Sequence, residues 1–418
     1  MNLLKLSWSY VKNRRLSTFL NTLLLALGVG LIVYLLLVMT QLQEKMQANA
    51  KGISLVVGAK GSPLQLVLCS IFHIDNPTGN IKLADANRIA ANRRFVKKSI
   101  PLALGDSYKA YRIVGTTRAY PEHYECRLAE GKWWSGPMEA TVGAEVARQG
   151  GLEIGDTFHG AHGLDGNEDN AHREHGYRVV GIMQSSGTVL DRLVLTAIES
   201  VWAVHETHEA PTSPLPASSQ GGGEFSPSLG GGAGGGASDR EITSLLVTFA
   251  NPMAALTMPR MVNSQSNLQA ASPAMEIVRL FDLFGTGADV VTYFAYVIIV
   301  IAALSIFIAL YNALKERRYD LAIMRTLGAS QGKLVAHILL EGLLLALLGG
   351  VGGLLLGHAA VELTNLLLED VSQASFTGWR WLKDEYYVFG GVLLTGLVAA
   401  LLPALQVYRM DISDTLAG

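Results

Sequence analysis

Histidine is concentrated in one stretch of the chain, where six of the ten histidines fall between positions 159 and 208. Three pairs there have the spacing His–x2–His, at 159/162, 172/175 and 205/208, and carboxylates lie between the first two pairs. Imidazole and carboxylate groups are ligands that suit zinc. The pattern predicts a divalent-metal site with the candidate ligands His159, His162, His172 and His175. The alternative interpretation is a solvated polar loop between two strands, because the glycines among these residues impose no rigid geometry.

A second pair of ionisable residues lies inside an apolar segment. Glu341 and His337 are four residues apart, so both lie on the same face of a helix. A carboxylate within an apolar span is costly and by default indicates a functional role, such as sharing a proton with the histidine. The alternative is that both side chains lie near one membrane interface and satisfy polar groups between helices.

The sequence contains no phosphate-binding loop of the form G-x-x-x-x-G-K-[ST], whose amides cradle phosphate and whose hydroxyl holds magnesium. The Gly–Lys pairs at 131–132 and 332–333 are followed by tryptophan and leucine, and neither residue supplies the hydroxyl. We therefore expect that this chain is not itself an ATPase. Its two cysteines, Cys69 and Cys126, are too few for a disulfide scaffold, and one disulfide or two free thiols remain open.

The amino-acid composition indicates the class of protein in which these residues lie. Half of the 418 residues are hydrophobic and only 16% are charged, against about 25% in soluble domains, and the mean hydropathy is +0.29. The 33 basic and 35 acidic residues nearly cancel, which speaks against a nucleic-acid-binding protein. The composition therefore predicts a membrane protein.

Four stretches are long and apolar enough to cross a bilayer, which takes about 20 residues. They predict transmembrane helices at residues 16–40, 290–314, 334–360 and 386–408. The first stretch exceeds the apolar core of a cleavable signal peptide, and no small-residue cleavage site follows it. We therefore expect it to be an uncleaved signal anchor.

Lysine and arginine are unevenly distributed around these spans, and positively charged loops stay in the cytoplasm. Residues 1–15 and 315–333 are rich in lysine and arginine, whereas residues 361–385 carry more acids than bases. We expect cytoplasmic segments at 1–15, 315–333 and 409–418, and outside segments at 41–289 and 361–385. The predicted location is the bacterial inner membrane.

The segment 41–289 is long enough for a separate extracytoplasmic domain. Residues 41–51 and 275–283 predict helical stalks that continue the flanking spans. Short apolar runs between them predict strands, so the fold class is a membrane region of four helices with an inserted α+β domain. The predicted strands are 54–58, 111–115, 157–158, 177–181 and 193–196, the predicted helices are 83–96 and 144–150, and the glycine-rich residues 211–239 predict a disordered loop.

The loop 315–333 has the most distinctive pattern in the sequence. Leu321, Met324 and Leu327 form one apolar stripe among charged residues, and Gly328 suits the left-handed conformation that ends a helix. The pattern predicts a short amphipathic helix whose apolar stripe binds something. For an arbitrary membrane protein, a helix that rests on the lipid headgroups is the simpler interpretation.

Residues 315–333, KERRYDLAIMRTLGASQGK, closely resemble the ERR-E-x-x-I-x-R-x-L-G-A-S run of MacB/FtsX-type ABC transporter permeases. Asp320 stands where the family has its second acid, and Ser413 stands where proline is common in the C-terminal ending. The third span from Glu341 onward and the segments 142–148, 155–158 and 177–182 are also similar to that family. The resemblance thus covers all four spans and part of the outer domain.

In that family the helix is a coupling element that docks on a separate ATPase subunit. The resemblance gives this role to Glu316, Arg317, Arg318, Asp320, Leu321, Met324, Arg325, Leu327 and Gly328. It implies two permease chains, expected to be a homodimer in membrane lipid, with two ATPases that bind ATP and Mg. This chain itself is expected to bind no cofactor unless the histidines hold zinc. A periplasmic adaptor or substrate protein is a further expected partner, and nucleic acid is not.

Gly349, Gly353 and Gly357 recur every four residues in the third span, which permits close approach of another helix. We expect this contact to be intramolecular, with the fourth span.

The resemblance implies a mechanical mode in which ATP-driven motion reaches the outer domain through spans and stalks. Three functions fit that mode. The first is export or extraction of a lipoprotein, peptide or hydrophobic compound. The second is signalling without transport to an envelope partner such as a cell-wall hydrolase, and the third is zinc homeostasis. The sequence does not choose among them.

Overall fold

The computed structural model describes residues 7–9, 12, 15–162, 171–206, 240–367 and 376–408. The chain divides into two compact units, one formed by Met1–Glu44 with Asp282–Gly418 and the other by Lys45–Phe281. The loop 211–239, which is predicted to be disordered, and the C-terminal segment 409–418 lie outside the described residues.

The elements of the first half of the chain are α1 Arg15–Ala50, β1 Leu55–Ala59, α2 Pro63–Val67, β2 Ile81–Lys82, α3 Leu83–Ala90, β3 Val96–Tyr108, β4 Tyr111–Thr116, α4 Ala119–His123, β5 Leu128–Gly131, β6 Glu139–Val142, α5 Ala144–Gly150, β7 Thr157–His162 and β8 Ala171–Met183. Those of the second half are β9 Val194–Ala197, α6 Ile198–Glu206, β10 Glu241–Ile242, β11 Ser244–Phe249, α7 Pro252–Gln265, β12 Leu268–Ala271, α8 Pro273–Glu316, α9 Arg318–Thr326, α10 Gln331–Leu367 and α11 Lys383–Tyr408.

Four helices, α1, α8, α10 and α11, are long and apolar enough to cross a membrane by their length and composition. Each contains one predicted span and continues beyond it at one or both ends. The stalk segments are therefore helical, since α1 continues past Thr40 to Ala50 and α8 begins at Pro273.

The apolar core of the first unit lies between these helices. Leu25, Val29 and Val33 of α1 recur every four residues and are fully buried. They belong to one cluster with Ala302 and Ile306 of α8 and with residues of α10 and α11. One face of α1 is thus covered by the other three long helices.

The second unit is an α+β domain built on a ten-stranded sheet in the order β12-β1-β11-β3-β4-β9-β6-β8-β5, with β7 paired to β3 and β8. Neighbouring strands are antiparallel except for the parallel pairs β4–β9 and β6–β8. One apolar cluster joins Leu55 and Leu245 of the sheet to Ala254 of α7, and a second surrounds Ile113 and Tyr177. The predicted fold class is confirmed.

The predicted helix over residues 83–96 is wrong at its C-terminal end. α3 ends at Ala90, and a turn follows in which the Val96 amide bonds to the Asn92 carbonyl. Val96 then begins β3, which pairs with β11 and β4. β4 follows β3 directly, but β11 lies far away in the sequence and leaves no local signal, although strand formation depends on such partners more than on intrinsic propensity.

Candidate functional site

The loop 315–333 forms a short helix with well-defined ends. α8 stops at Glu316, Arg317 leaves the helical conformation, and α9 begins at the next residue. At its C-terminus, Gly328 has φ +94°, the amide of Ala329 bonds to the carbonyl of Met324, and the amide of Gly328 bonds to the carbonyl of Arg325. This is the Schellman arrangement, which satisfies the last carbonyls of a helix and favours glycine. The predicted role of Gly328 in ending the helix is therefore confirmed.

One face of α9 packs against its own chain. Leu321 is buried in a cluster with Leu314 of α8, Leu334 and Ile338 of α10, and Val407 of α11, and Met324 packs at its edge. The ends of three long helices therefore converge on this face. Burying a leucine side chain contributes about 1.5–3 kcal/mol, so α9 is firmly attached to the bundle.

The opposite face of α9 is exposed and also apolar. Leu327 does not share the buried face with Leu321 and Met324, and 82% of its surface is exposed. Tyr319 and Ile323 are exposed as well, and the three residues recur every four positions, which places them on one stripe. From the sequence, Tyr319 was missed and Ile323 was recognised only as a match to the family motif, although the spacing of both to Leu327 is visible there. We call residues 319, 323 and 327 the α9 stripe.

The charged residues around α9 differ in their surroundings. Glu341 is buried and Arg317 is half-buried, and the Nη1 atom of Arg317 lies 3.6 Å from Oε2 of Glu341. Glu316 and Arg318 are exposed and Arg325 is half-buried, while the side chain of Asp320 lies outside the described residues. The ion pair ties the start of α9 to the third span, and breaking such a buried pair costs about 3–5 kcal/mol.

His337 and Glu341 lie on the buried side of α10. The Nδ1 atom of His337 is 2.7 Å from the hydroxyl of Ser7, and Glu341 faces Arg317. A small cavity beside α9 is lined by both His337 and Arg317. These contacts accord with the interpretation that the two residues satisfy polar groups between helices, and a proton shared between them stays a prediction.

The glycine stripe of the third span faces the first span. A Cβ atom at Gly353 would lie 2.5 Å from Cβ of Val29, and one at Gly349 or Gly357 would meet Leu25 or Val33 in the same way. The contact is intramolecular, as predicted, but the expected partner, the fourth span, is wrong. α11 packs instead on a different face of α10, at Gly342 and Gly350. With glycines on several faces, the sequence alone did not assign each face to a partner.

The end of α1 inside the second unit is held by side-chain donors. The Tyr124 hydroxyl donates to the Asn49 carbonyl at 2.7 Å, and Nε2 of His123 donates to the Lys51 carbonyl at 2.9 Å. The amide of Val189 donates to the side-chain oxygen of Asn49 at 3.1 Å. Carbonyls at a helix end have no partner within the helix, so these bonds fasten the stalk to the domain.

The four candidate zinc ligands lie on two paired strands. In the antiparallel pair β7–β8, His159 stands opposite Gly176 and Ala161 opposite Ala171. His159 is exposed, and the side chains of His162, His172 and His175 lie outside the described residues. Among the side chains that the structure does describe, no three metal-ligating groups come together. The zinc site stays a prediction.

Both cysteines are free thiols in the structure. Burial raises the pKa of the Cys69 thiol to about 11, and the pKa of Cys126 is raised to about 11 by the same cause. Neither cysteine has the lowered pKa of a reactive thiolate.

Comparison with known proteins gives two family matches. The FtsX-like permease C-terminal family matches residues 292–412, and the MacB-like periplasmic core domain matches residues 18–213. The chain is 30% identical over 99 residues to the uncharacterized ABC transporter permease YknZ of Bacillus subtilis, covering 23% of each chain. It is 25% identical over 154 residues to the uncharacterized ABC transporter permease MJ1507 of Methanocaldococcus jannaschii, covering 36% of each. These matches therefore span about a quarter to a third of the relatives' length.

Two solved structures are also similar. The periplasmic region of MacB from Actinobacillus actinomycetemcomitans has a TM-score of 0.33 at 12% identity, covering 57% of this chain and 98% of that one. The extracellular domain of YknZ, a noncanonic ABC-type transporter from Gram-positive bacteria, has a TM-score of 0.31 at 11% identity, covering 52% of this chain and 100% of that one.

Proposed function

The chain belongs to the MacB/FtsX-type family of ABC transporter permeases, and we propose that it transmits ATP-driven motion of a separate ATPase subunit to its Lys45–Phe281 unit. The family is the permease component of ABC transporters, which is not itself the enzyme. ATP and Mg would be bound by the partner, and two permease chains would work with two ATPases.

The proposed orientation follows from charge and from the family. With its four apolar helices, a permease of this family is a multi-pass membrane protein. Lysine and arginine crowd residues 1–15 and 315–333, and such segments stay cytoplasmic. α9 would then face the cytoplasm, where ATP is found, and the MacB-like unit would lie in the periplasm.

The observation that carries the proposal is that α9 buries one apolar face and exposes another. Its inner face is locked among α8, α10 and α11 by Leu321, and its outer face exposes the apolar α9 stripe. An apolar stripe on a helix that is already anchored is typical of a docking surface for a groove on another protein. A push on the α9 stripe would move the long helices, because Leu321 and the Arg317–Glu341 pair connect them.

Two continuous helices would carry the motion onward. α1 and α8 both extend from the first unit into the second without a break. The bonds from Tyr124 and His123 fasten the end of α1 to the domain. The work done there would be export or extraction of a lipoprotein, peptide or hydrophobic compound, and signalling to an envelope partner would use the same path.

The test substitutes the most exposed residue of the α9 stripe. In proteoliposomes that contain the permease and its co-purified ATPase, Leu327→Asp should weaken binding of the ATPase at least about tenfold, because a charge replaces an apolar contact worth 1.5–3 kcal/mol. Stimulation of ATP hydrolysis by the permease should be lost with it. The matched control is Leu256→Asp, an exposed leucine on α7 of the other unit, which should leave both unchanged.

Normal ATPase binding and stimulation with Leu327→Asp would overturn the proposal. Membrane insertion of the variant, measured in parallel, separates loss of docking from loss of the protein. Once coupling is established, a co-purified substrate would favour transport, and a co-purified hydrolase would favour signalling.

A further inference from the structure

The segment between α10 and α11, residues 376–387, is tied to α1 at one end of the first unit, and we call it the brace segment. The side-chain amide of Gln41 donates to the carbonyl of Thr377 and accepts from its amide, both at 2.9 Å. The Arg380 guanidinium makes two hydrogen bonds to the carboxylate of Glu44. This pairing lowers the pKa of Glu44. The brace segment is therefore joined to the first span at two levels.

Polar side chains of α10 and α11, of which Glu385 is buried and Glu362 and His358 are half-buried, also bind the brace segment. Glu362 accepts from the amide of Gly378 at 2.8 Å. Glu385 accepts from the amide of Leu382 at 3.0 Å and lies 3.0 Å from Nε2 of His358, whose other ring nitrogen meets the carbonyl of Gly378. A segment with this many satisfied backbone groups is held in one conformation.

Four aromatic side chains of the brace segment are exposed, although the ring of Trp381 also lies 4.6 Å from that of His358. Trp379, Trp381, Tyr386 and Tyr387 are between 60% and 86% exposed. A rigid segment thus presents four large amphipathic rings, each with an apolar body and a polar N–H or O–H. An exposed cluster of this kind indicates an interaction site. Its position relative to the long helices indicates what binds there.

The aromatic rings lie where the charge-free length of a helix ends. On α11 no Asp, Glu, Lys or Arg follows Glu385 up to Tyr408. Tyr387 and Tyr408 are 21 positions apart, which is about 32 Å along a helix and matches the about 30 Å of a bilayer's hydrocarbon core. Exposed aliphatic residues fill the interval, including Leu394, Val398 and Leu405, and Tyr408 is exposed at the far end.

We propose that the exposed face of the brace segment is a lipid-binding surface, whose four rings insert at the boundary between headgroups and acyl chains. Tryptophan and tyrosine are enriched at this depth because their apolar bodies favour the acyl chains while their polar atoms remain hydrated. The surface is continuous with the apolar side of α11 that faces lipid in a membrane-spanning helix. Because Gln41 and Glu44 join the brace segment to α1, insertion of the rings fixes the depth at which the first span ends.

The test measures the depth of two indoles in the full-length protein, reconstituted without any ATPase into phosphatidylcholine bilayers. The lipids carry bromine, which quenches indole fluorescence on contact, either on the upper acyl carbons or near the terminal methyl. Fluorescence is compared between wild type and Trp379→Phe/Trp381→Phe, so that the difference spectrum belongs to the two brace tryptophans. The matched control, Trp133→Phe, removes a tryptophan of the Lys45–Phe281 unit.

Relative to lipid without bromine, the difference spectrum should lose more than about half of its intensity when bromine is on the upper acyl carbons. The loss should be smaller when bromine is near the methyl end, as expected for an interfacial ring. The fluorescence of Trp133, obtained as the difference between wild type and Trp133→Phe, should be quenched by neither brominated lipid. An unquenched difference spectrum would overturn the proposal, because solvent or a second copy of the chain would then surround the rings. Stronger quenching by the deep bromine would also overturn it.

Discussion

Burial is the main reason why the side chain of His73 in the Lys45–Phe281 unit is uncharged. It follows the π-helical turn Leu68–Phe72, has φ 56°, and its Nε2 atom lies 2.9 Å from the Tyr120 hydroxyl. Burial lowers the pKa of the ring from its usual 6.5 to about 3, and the charge of Arg112 acts in the same direction. The folded ring is therefore neutral over a range in which the unfolded ring is protonated.

This difference predicts a pH dependence of stability. As the pH falls from 6.5 toward about 3, the unfolded chain binds a proton that the folded unit does not, so stability should decrease. The slope from this one site is at most about 1.4 kcal/mol per pH unit. His73→Gln, which keeps a hydrogen-bonding group for Tyr120 but does not titrate, should flatten that dependence.

Amide hydrogen exchange of β1 and β4 in the full-length protein, corrected for intrinsic rates at each pH, measures this local stability. The comparison variant is His159→Gln, because His159 is exposed and its substitution should leave the slope as in wild type. Equal slopes in wild type and His73→Gln would show that the buried ring does not control the acid sensitivity.

At the scale of elements, the close contact between α1 and α10 depends on glycine. An added methyl group at Gly353 would lie 2.5 Å from Cβ of Val29, whereas one at Gly352 would lie 3.4 Å from Cβ of Ala26. Gly353→Ala should therefore destabilise the helical unit by about 1–3 kcal/mol, the usual cost of overpacking. Gly352→Ala should cost much less.

The two alanine variants differ by one position and by the same methyl group, so they control for helix propensity and for hydrophobicity. Their stabilities are compared by the denaturant midpoint of the purified full-length protein in mixed micelles. Indistinguishable midpoints would mean that α1 and α10 do not pack through this stripe.

Local patterns predicted elements but not their partners. The long apolar stretches identified all four long helices, and the helix predicted at Ala144–Gly150 is α5. The glycine stripe was recognised, yet its partner is α1, because several faces of α10 carry glycine. β3 and β11 were missed because their pairing is long-range.

For α9 too, the sequence predicted the element but not its packing partners. Its apolar residues and its terminating glycine are local features, and the sequence predicted both. Which apolar residue faces inward depends on where α8, α10 and α11 end, so Leu321 is buried and Leu327 is exposed. The brace segment was predicted only as the end of the outer loop 361–385 and the start of the fourth span, because its bonds to Gln41 and Glu44 join residues more than 300 positions apart.

At the scale of the whole molecule, two continuous helices connect the two units along the chain. α1 and α8 each belong to both units, and each is long enough to cross a membrane and continue as a stalk. Motion applied to α9 would thus have a covalent path to the sheet domain. We propose that ATP-driven motion at α9 reaches the Lys45–Phe281 unit along this path.

The most direct test measures whether that unit moves with the nucleotide state. The spin label is attached at Leu256→Cys, in a variant that has serine in place of Cys126 and retains the buried Cys69. In the proposed complex of two permease chains with the ATPase, the label reports the distance between the two copies of α7. Addition of ATP and vanadate should shift that distance distribution in the wild-type background and leave it unchanged when Leu327→Asp is also present. No shift in the wild-type background, or the same shift with Leu327→Asp, would contradict the account.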